Sequence, residues 1–320
     1  MSANNPLIAA AQAAIRQGLS EEIKATLHQP VILLSAPRSG SNLLFELMSK
    51  IPGFWSIGGE SHIIYLAFPH LRTENTNLDS MSLDESHADP ETRRLMRACF
   101  VYLLHDHRGT RYVDMPPELR PPSVTLLEKT PRNALNIPFL LRLFPHARFI
   151  YLHRDHRQNI ASIIEAWKLG LESGRFVTFQ DLPGWDRRIW CFLLPRGWRA
   201  MNGKSLAEIA AFQWSASNNA ILDGLTSLPA SQWVSVSYSE LIESPRDSLR
   251  GLCEFAKIVV PEQITPDGPL PVSQTALTPP HPDKWKKYET ELLDLWPRLA
   301  ETVQRIESAS VASKVNQVCE

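Results

Sequence analysis

The stretch from Val31 to Met48 limits the possible folds of this chain more than any other. It begins with an unbroken apolar run at residues 31–34, continues through a short polar loop and ends with leucines at helical spacing. An unbroken apolar run is typical of a strand buried on both faces, and the later spacing is typical of a helix. The stretch therefore predicts a strand, a loop and a helix in succession.

The loop in this stretch is a candidate anion site. Backbone N–H groups at the start of the following helix point towards the end of the strand, and the helix dipole adds partial positive charge there. The loop combines a forked cation, side-chain donors and a glycine that permits close approach: Arg38, Ser39, Gly40, Ser41 and Asn42. It is not the common nucleoside-triphosphate loop, because the pattern Gly-x4-Gly-Lys-Ser/Thr is absent. Taken alone, the loop is explained equally well as an ordinary strand-to-helix turn with a surface arginine.

With 320 residues, of which 43% are hydrophobic, the chain can form a sizeable core and is compatible with one large α/β domain or two modest ones. We prefer one domain with insertions, spanning residues 1–320. The formal net charge of -1 favours neither a nucleic-acid nor a membrane partner. The sequence shows no secretory-signal pattern and no apolar run near the ~18 residues of a membrane helix. The four cysteines lie far apart and predict free thiols in a soluble, cytoplasmic protein: Cys99, Cys191, Cys253 and Cys319.

Three further apolar runs predict strands, at residues 124–127, 147–152 and 233–238. Helical patterns alternate with these runs and also flank them, at residues 5–28, 90–105, 133–144, 160–167, 205–228, 245–257 and 289–307. Alternating strands and helices favour right-handed parallel crossovers, which place helices on both faces of a sheet. The expected fold class is α/β, a three-layer sandwich around a central parallel sheet.

Two segments interrupt this alternation. Residues 71–89 are polar and predict a surface loop that could act as a lid. Residues 171–203 are rich in tryptophan, phenylalanine and arginine, and they predict an insertion that walls a substrate pocket. A satellite core beneath a long loop explains these aromatic residues equally well.

Cationic side chains follow three of the predicted strands. The polar residues near the carboxyl ends of the strands are Arg38, Lys129, Arg154 and Tyr238. Open parallel sheets bind ligands at that edge, so three cations there predict one ligand with several negative charges. Ser162, in the second turn of the helix after Arg154, can reach a second phosphate together with that arginine. Structural ion pairs with Glu128 and Asp155 are the alternative explanation.

Two candidate bases follow the tight bend at Gly58 and Gly59. Glu60 and His62 lie near a predicted helix start, one short loop from the anion site. The residues alone favour a structural explanation, because an acid at a helix N-terminus is stabilised by the dipole. A surface or capping histidine explains His62 in the same way.

The chain resembles the sulfotransferases that use 3'-phosphoadenosine-5'-phosphosulfate. Residues 36–41, Ala-Pro-Arg-Ser-Gly-Ser, look like the 5'-phosphosulfate loop of that family, and Arg154 with Ser162 eight positions later matches its 3'-phosphate motif. The resemblance extends to residues 128–131, to Tyr238 and to residues 282–286, so it covers about residues 30 to 290. The Pro-Arg-Ser-Gly form is closer to the tyrosylprotein and related bacterial branch than to the cytosolic small-molecule branch.

This resemblance implies a P-loop NTPase-like sulfotransferase topology and a transfer enzyme. The enzyme would move a sulfuryl group from 3'-phosphoadenosine-5'-phosphosulfate, its co-substrate, to a hydroxyl acceptor by in-line displacement, without a metal. The acceptor would be a small molecule or a hydroxyl borne by a carrier or peptide, and the aromatic insertion favours an acceptor with an apolar part. A non-catalytic nucleotide sensor and a divergent phosphotransferase are the alternatives.

The resemblance also implies a role for each site residue. Arg38 and Lys129 would stabilise charge at the bridging oxygen and the sulfonate, and Glu60 is preferred to His62 as the base. Residues 39–42 would hold the 5'-phosphate, while Arg154 and Ser162 would hold the 3'-phosphate. The residues covering the adenine and the 3' side would be Tyr238, Lys284, Trp285 and Lys286. Asn42 and His156 depart from the family, which commonly has threonine and proline at these positions.

Overall fold

The computed structural model describes residues 5–14, 27, 29–73, 79–262, 270–273 and 281–318. A six-stranded sheet forms the centre, in the order β3-β2-β4-β1-β5-β8. Its strands are β1 (Val31–Leu34), β2 (Phe54–Ser56), β3 (His105–Asp106), β4 (Thr125–Lys129), β5 (Arg148–His153) and β8 (Trp233–Ser237). All neighbouring pairs are parallel except β2 with β3. The carboxyl ends of the parallel strands therefore share one edge.

The strands at the centre of the sheet are buried on both faces. Ile32 and Leu34 of β1 belong to one hydrophobic cluster, while Val31 and Leu33 belong to a second cluster on the other face. This alternation follows from the two-residue period of a strand. Two separate cores on either side of one sheet make the fold a three-layer sandwich, which confirms the α/β fold class.

Eleven α-helices of the described residues surround the sheet. They are α1 (Pro6–Ala14), α2 (Ser41–Met48), α3 (His62–Leu66), α4 (Pro90–Leu103), α5 (Ile137–Leu143), α6 (His156–Ser173), α7 (Leu206–Leu225), α8 (Tyr238–Glu243), α9 (Pro245–Phe255), α10 (Glu289–Leu293) and α11 (Trp296–Val318). The side chain of Asp155 caps α6 by accepting from Gln158 N (3.1 Å), and α6 ends at Gly174 with φ 76°. Buried residues of α2 and α9 belong to the second core.

The four strands expected from apolar runs are all present as parallel strands of the sheet. The sequence pattern did not predict β2 and β3, because segments of three and two residues are too short to show a period. One closing helix was expected at residues 289–307, but the chain forms α10 and α11 there. The expected helical segment 5–28 is helical over Pro6–Ala14, and residues 15–26 and 28 lie outside the described part.

The segment 171–203 contains a β-hairpin of β6 (Val177–Gln180) and β7 (Ile189–Cys191). Behind the hairpin, Trp190 packs edge-on against Trp167, Trp185 and Trp198, with ring centroids 4.8–5.9 Å apart. The tryptophans therefore join the hairpin to α6 and form part of the core. The described residues of segment 71–89 include a short 3-10 turn, Glu85–His87, which is capped by Asp84.

Cys99, Cys191 and Cys253 are buried free thiols, and Cys319 lies outside the described residues. Within the described residues, no helix combines the length and the apolar character that a membrane crossing requires. The described His, Cys, Asp and Glu side chains also form no group of three that could hold a metal ion.

Candidate functional site

A cavity of about 830 Å³ opens at the carboxyl edge of the sheet. The loop after β1, the N-terminal half of α6, the start of α8 and the β6–β7 hairpin all contribute to its wall. We call its cationic part the basic side, lined by Arg38, Gly40, Ser41, Asn42, Arg154, Gln158, Ser162, Glu165, Tyr238 and Lys284. We call its mainly apolar part the apolar side, lined by Leu66, Met81, Phe176, Val177, Phe179, Phe192 and Leu193.

The loop after β1 packs directly against Tyr238, the first residue after β8. Gly40 has φ 101°, a left-handed conformation that side chains rarely adopt. A Cβ at this position would also overlap the ring of Tyr238. Glycine is therefore required here both by the backbone and by the neighbouring aromatic ring. This conformation opens the N-terminus of α2 towards the cavity.

Asn159 joins the loop to α6. It is fully buried, its Nδ2 donates to the backbone oxygen of Pro37 (2.7 Å), and its Oδ1 lies 2.7 Å from the Ser39 hydroxyl. The same hydroxyl lies 2.9 Å from the Ala36 carbonyl oxygen. The Ser39 side chain is thus turned into the protein, and Ser41 and Asn42 line the cavity instead.

One face of α6 forms the neighbouring wall. Gln158, Ser162 and Glu165 are one turn apart and line the cavity, and Arg154 precedes the helix on the same side. Arg154 Nη1 donates to the backbone oxygen of Arg38 (3.4 Å). The guanidinium of Arg154 also lies 4.6 Å from the centroid of the Tyr238 ring. The loop at residues 38–42 and Arg154 therefore belong to one continuous surface.

Positive charge is concentrated on the basic side. Burial, together with the cations Arg154 and Arg175, lowers the pKa of Arg38 to about 10, and Glu165 opposes this shift. Burial likewise lowers the pKa of Arg154, opposed by Tyr238 and Asp155. Both guanidinium groups remain protonated near neutral pH. A bound anion would relieve the repulsion between them, so this arrangement favours a ligand with several negative charges.

Lys129 links the loop to the candidate base Glu60. It is 5% exposed and donates to the amide oxygen of Asn42 and to Glu60 Oε1 (2.6 Å). The other carboxylate oxygen of Glu60 lies 3.1 Å from His62 Nε2. Burial alone would raise the pKa of Glu60, but His62 and Lys129 outweigh burial and lower it to about 2. Glu60 is therefore an ionised carboxylate near neutral pH, in contact with the second candidate base.

A buried network fixes the backbone beside Glu60. Glu128 accepts hydrogen bonds from Ser61 Oγ and Thr130 Oγ1, both at 2.6 Å, and from the Asn133 amide. The Ser61 backbone N–H donates to Thr130 Oγ1 (2.7 Å). Burial raises the pKa of Glu128, while the two hydroxyls oppose that shift. The network holds the turn before α3 against β4, which places Glu60 at the rim of the cavity.

Lys284 lines the cavity, whereas the neighbouring residues point elsewhere. Its ammonium lies 3.3 Å from a carboxylate oxygen of Glu165, and Lys287 contacts the other oxygen of the same carboxylate. The Glu165 side chain is only 13% exposed, so water screens its charge weakly. The two lysines therefore largely balance the charge of this carboxylate. This ion-pair cluster attaches the segment before α10 to α6.

Trp285 and Lys286 take no part in the cavity lining within the described residues. The ring of Trp285 lies 5.2 Å from the Arg157 guanidinium and packs edge-on against Trp296. Lys286 forms a surface ion pair with Asp283 (2.9 Å). Of the expected covering residues, the structure therefore brings Tyr238 and Lys284 to the cavity.

Among the described residues, the structure gathers most of the expected site residues around the cavity but leaves four of them outside its lining, namely Ser39, Lys129, Trp285 and Lys286. It also adds residues that the sequence pattern did not single out, namely Asn159, Gln158, Glu165 and Phe176. The period of α6 could have identified Gln158 and Glu165, since they follow Arg154 at four and eleven positions on one face. The roles of Asn159 and Phe176 depend on contacts across more than 100 residues, which carry no local signal.

The comparisons with known proteins agree on one family. The family model described as "Sulfotransferase family" matches residues 30–262. Protein-tyrosine sulfotransferase 1 from Danio rerio is 26% identical over 192 residues, which cover 58% of this chain and 50% of that protein. The chain thus spans about half the length of this curated relative.

Two solved structures also match. The sulfotransferase domain from the curacin biosynthetic pathway is 19% identical, covering 83% of this chain and 98% of its own, with a TM-score of 0.43. A sulfotransferase from Mycobacterium avium is 17% identical, covering 89% of this chain and 81% of its own, with a TM-score of 0.46. Because the family model matches well over half of its residues, this chain belongs to the sulfotransferase family.

Proposed function

We propose that this protein is an enzyme that transfers a sulfuryl group from 3'-phosphoadenosine-5'-phosphosulfate to the hydroxyl group of an acceptor. The observation that carries this proposal is the contact between Arg154 and the loop at residues 38–42 at one edge of the sheet. Two cationic elements from separate strands suit a nucleotide with anions at two positions. Membership of the sulfotransferase family supports the same donor.

The donor would lie along the basic side. The N-terminus of α2, with the backbone and side chains of Ser41 and Asn42, suits the 5'-phosphate because its N–H groups face the cavity. Arg154 and Ser162 on the α6 face suit the 3'-phosphate, with Lys284 nearby. The ring of Tyr238 provides a flat surface for the adenine. Charged side chains and backbone N–H groups thus supply the binding energy for the donor without a metal.

The reaction would be a single in-line displacement. The oxygen of the acceptor hydroxyl forms a bond to sulfur while the bond between sulfur and the bridging oxygen of the 5'-phosphate breaks. The electron pair of the broken bond stays on that bridging oxygen, which completes adenosine 3',5'-bisphosphate, and the hydroxyl proton passes to the base. Arg38 would stabilise the charge that develops on the bridging oxygen, and Lys129 would assist at the sulfonate. Positioning and charge stabilisation supply most of the catalysis in chemistry of this type.

Glu60 is the proposed base. It is ionised near neutral pH, lines the cavity and contacts His62. A base with a pKa of about 2 is weak, so the contact with Lys129 has to loosen before Glu60 accepts a proton efficiently. Donor binding provides the reason for this change, because the sulfonate competes with Glu60 for the Lys129 ammonium.

The acceptor would lie on the apolar side. Leu66 is 51% exposed, whereas Met81, Phe179 and Leu193 line the cavity and are otherwise buried. A wall of this composition favours an acceptor that presents its hydroxyl on an apolar or aromatic body, whether free or borne by a carrier or peptide.

The test is transfer of labelled sulfate from the phosphosulfate donor to a panel of aliphatic, aromatic and peptide-borne hydroxyl compounds. We expect labelled product with an apolar acceptor, and loss of turnover in Glu60→Gln with nearly unchanged affinity for adenosine 3',5'-bisphosphate. The matched control is Glu172→Gln, at an exposed carboxylate near the end of α6. A wild-type protein that binds the bisphosphate tightly but labels no acceptor would favour a nucleotide sensor instead. A fully active Glu60→Gln variant would exclude Glu60 as the base.

A further inference from the structure

Three residues at the junction of the two sides of the cavity share an uncommon backbone conformation. Among the described residues, Arg38, Phe176 and Phe192 have φ values of 64°, 66° and 64°. For large side chains this left-handed region is strained, at roughly 1–2 kcal/mol for each residue. The strain lies in three separate parts of the chain, and the three side chains meet at one place.

The three side chains form a stack. The Arg38 guanidinium lies 5.1 Å from the centroid of the Phe176 ring, and the Phe176 and Phe192 rings are 5.4 Å apart at an angle of 32°. The Phe192 N–H donates to the Phe176 carbonyl oxygen (3.1 Å), which joins the two ends of the β6–β7 hairpin. Arg175 approaches the same ring at 5.2 Å. At the strained ends of the hairpin, the Phe176 ring thus lies against the arginine of the loop, and the Phe192 ring lies against Phe176.

An aromatic ring holds a guanidinium in a way that a carboxylate does not. The face of the ring attracts the cation, and the attraction grows when water is excluded, yet the ring carries no net charge. A carboxylate in the same place would neutralise the positive charge of Arg38. A phenylalanine therefore orients the guanidinium without adding a negative charge of its own beside it.

We propose that Phe176, supported by Phe192, is a positioning residue for Arg38. Its ring holds the guanidinium at the junction of the basic and apolar sides, where the sulfonate would meet the acceptor. Phe176 acts through Arg38 and does not itself take part in bond making or breaking. The reaction in which Arg38 acts rests on the proposed function, whereas the contact between the ring and the guanidinium does not.

The experiment compares Phe176→Leu with Phe176→Tyr. Leucine keeps the apolar volume but removes the ring, so we expect kcat to fall about tenfold while KM for the phosphosulfate donor changes by less than about threefold. Tyrosine keeps the aromatic face and restores kcat to within about twofold of the wild type. The matched control is Phe255→Leu. Phe255 also lies close to a guanidinium, at 5.6 Å from that of Arg148. Arg148 is the first residue of β5, whereas the cavity lies at the carboxyl ends of the strands. The control is expected to keep the wild-type kcat.

A double-mutant cycle with Arg38→Lys tests whether Phe176 acts by positioning Arg38 or only by lining the cavity wall. If Phe176 acts through Arg38, adding Phe176→Leu to Arg38→Lys lowers kcat by less than about twofold further. An unchanged kcat in Phe176→Leu, or the same tenfold loss on both backgrounds, would overturn the proposal. So would a loss that appears only in KM for the acceptor, because Phe176 would then be a substrate contact.

The ligand-free protein provides a readout that needs no turnover. A ring face shifts the NMR signal of a nearby guanidinium proton, so the Arg38 Hε signal, assigned by its loss in Arg38→Lys, should move in Phe176→Leu and stay near its original position in Phe176→Tyr. An Arg38 signal that is identical in all three proteins would overturn the positioning role. Absence of sulfuryl transfer in the wild type would contradict the proposed function while this measurement still decided whether Phe176 holds Arg38.

Discussion

Lys129 is shared by two groups that the proposed reaction uses at different moments. Its ammonium contacts both Asn42 of the anion loop and the carboxylate of Glu60. As long as Lys129 neutralises Glu60, that carboxylate is a poor proton acceptor. A donor that attracts Lys129 towards its sulfonate leaves Glu60 with His62 and with the effect of burial, which raises its pKa. At the scale of single residues, binding of the proposed donor would therefore prepare the proposed base.

The depressed pKa of Glu60 also predicts a pH-dependent contribution to stability. The folded-state pKa of about 2 lies below the ordinary glutamate value of 4.5, so this contribution is complete above about pH 4.5 and is lost as the pH falls towards 2. Glu60→Gln should be less stable than the wild type at pH 7 by about 1–2 kcal/mol, after allowance for solvent screening of this partly exposed group. We expect the difference to shrink by about 1 kcal/mol at pH 4, measured by urea unfolding at both pH values. A difference that stays constant over this range would show that Glu60 is not strongly paired in the free protein.

Two elements that are distant in sequence are joined at Asn159. The first turn of α6 holds the loop after β1 through the contacts of this one buried amide with Pro37 and Ser39. The element that offers Arg154 and Ser162 therefore also shapes the loop at residues 38–42. Because both parts of the site depend on one contact, a change at Asn159 affects the whole basic side.

We expect Asn159→Leu to lower the free energy of unfolding by about 2–3 kcal/mol, because it leaves the Pro37 carbonyl and the Ser39 hydroxyl without their buried partner. Affinity for adenosine 3',5'-bisphosphate should fall as well. Ser162→Ala on the same helix serves as the control, with a stability change below about 0.5 kcal/mol but weaker bisphosphate binding. Urea unfolding and calorimetric titration measure the two effects. Wild-type stability in Asn159→Leu would mean that the loop keeps its shape without α6.

Sequence patterns predicted those strands and helices that are long enough to show a hydrophobic period. The four buried strands were found because each is an apolar run next to a helical pattern, and their shared carboxyl edge followed from the parallel arrangement. The β6–β7 hairpin was not predicted. Phe176 and Phe192, at its ends, adopt positive φ values that are unfavourable for large side chains. The tertiary contacts of the hairpin outweigh this local cost.

For the candidate site, too, the sequence predicted some residues, while others depend on tertiary contacts. Strand-end position was enough to single out Arg38 and Arg154, because chain order and strand direction place them at one edge. Lys284, Trp285 and Lys286 were named together from the family resemblance, which could not separate them, because their directions depend on where the short 3-10 helix, Pro282–Tyr288, lies against α6. The roles assigned from the family resemblance stay predictions at these positions.

At the scale of the whole molecule, the cavity joins parts of the chain that lie far apart in the sequence. The loop after β1, α6, α8, the hairpin and the segment before α10 all meet around it. Arg38, Arg154 and Arg175 repel one another there, and Glu165 compensates only in part. A polyanionic ligand that neutralises this charge therefore stabilises the entire fold as well as the site.

We expect adenosine 3',5'-bisphosphate at about 100 times its Kd to stabilise the protein by about 2.7 kcal/mol, which raises Tm by about 5 °C. Adenosine 5'-monophosphate at the same concentration should give a smaller shift, because it lacks the group that Arg154 and Ser162 would meet. Arg154→Ala should reduce the difference between the two nucleotides, and added salt should weaken both effects. Differential scanning calorimetry measures these shifts. Equal stabilisation by both nucleotides would contradict the assignment of Arg154 to the 3'-phosphate.

The packing of Tyr238 against Gly40 has a consequence for how such a chain can diverge. The two positions are almost 200 residues apart in sequence, yet the ring at one fills the volume that a side chain at the other would need. Lineages descended from a common ancestor should therefore keep glycine at position 40 wherever position 238 is aromatic. Paired replacement at the two positions should be rare, because the backbone geometry at Gly40 already excludes most alternatives before the ring is considered.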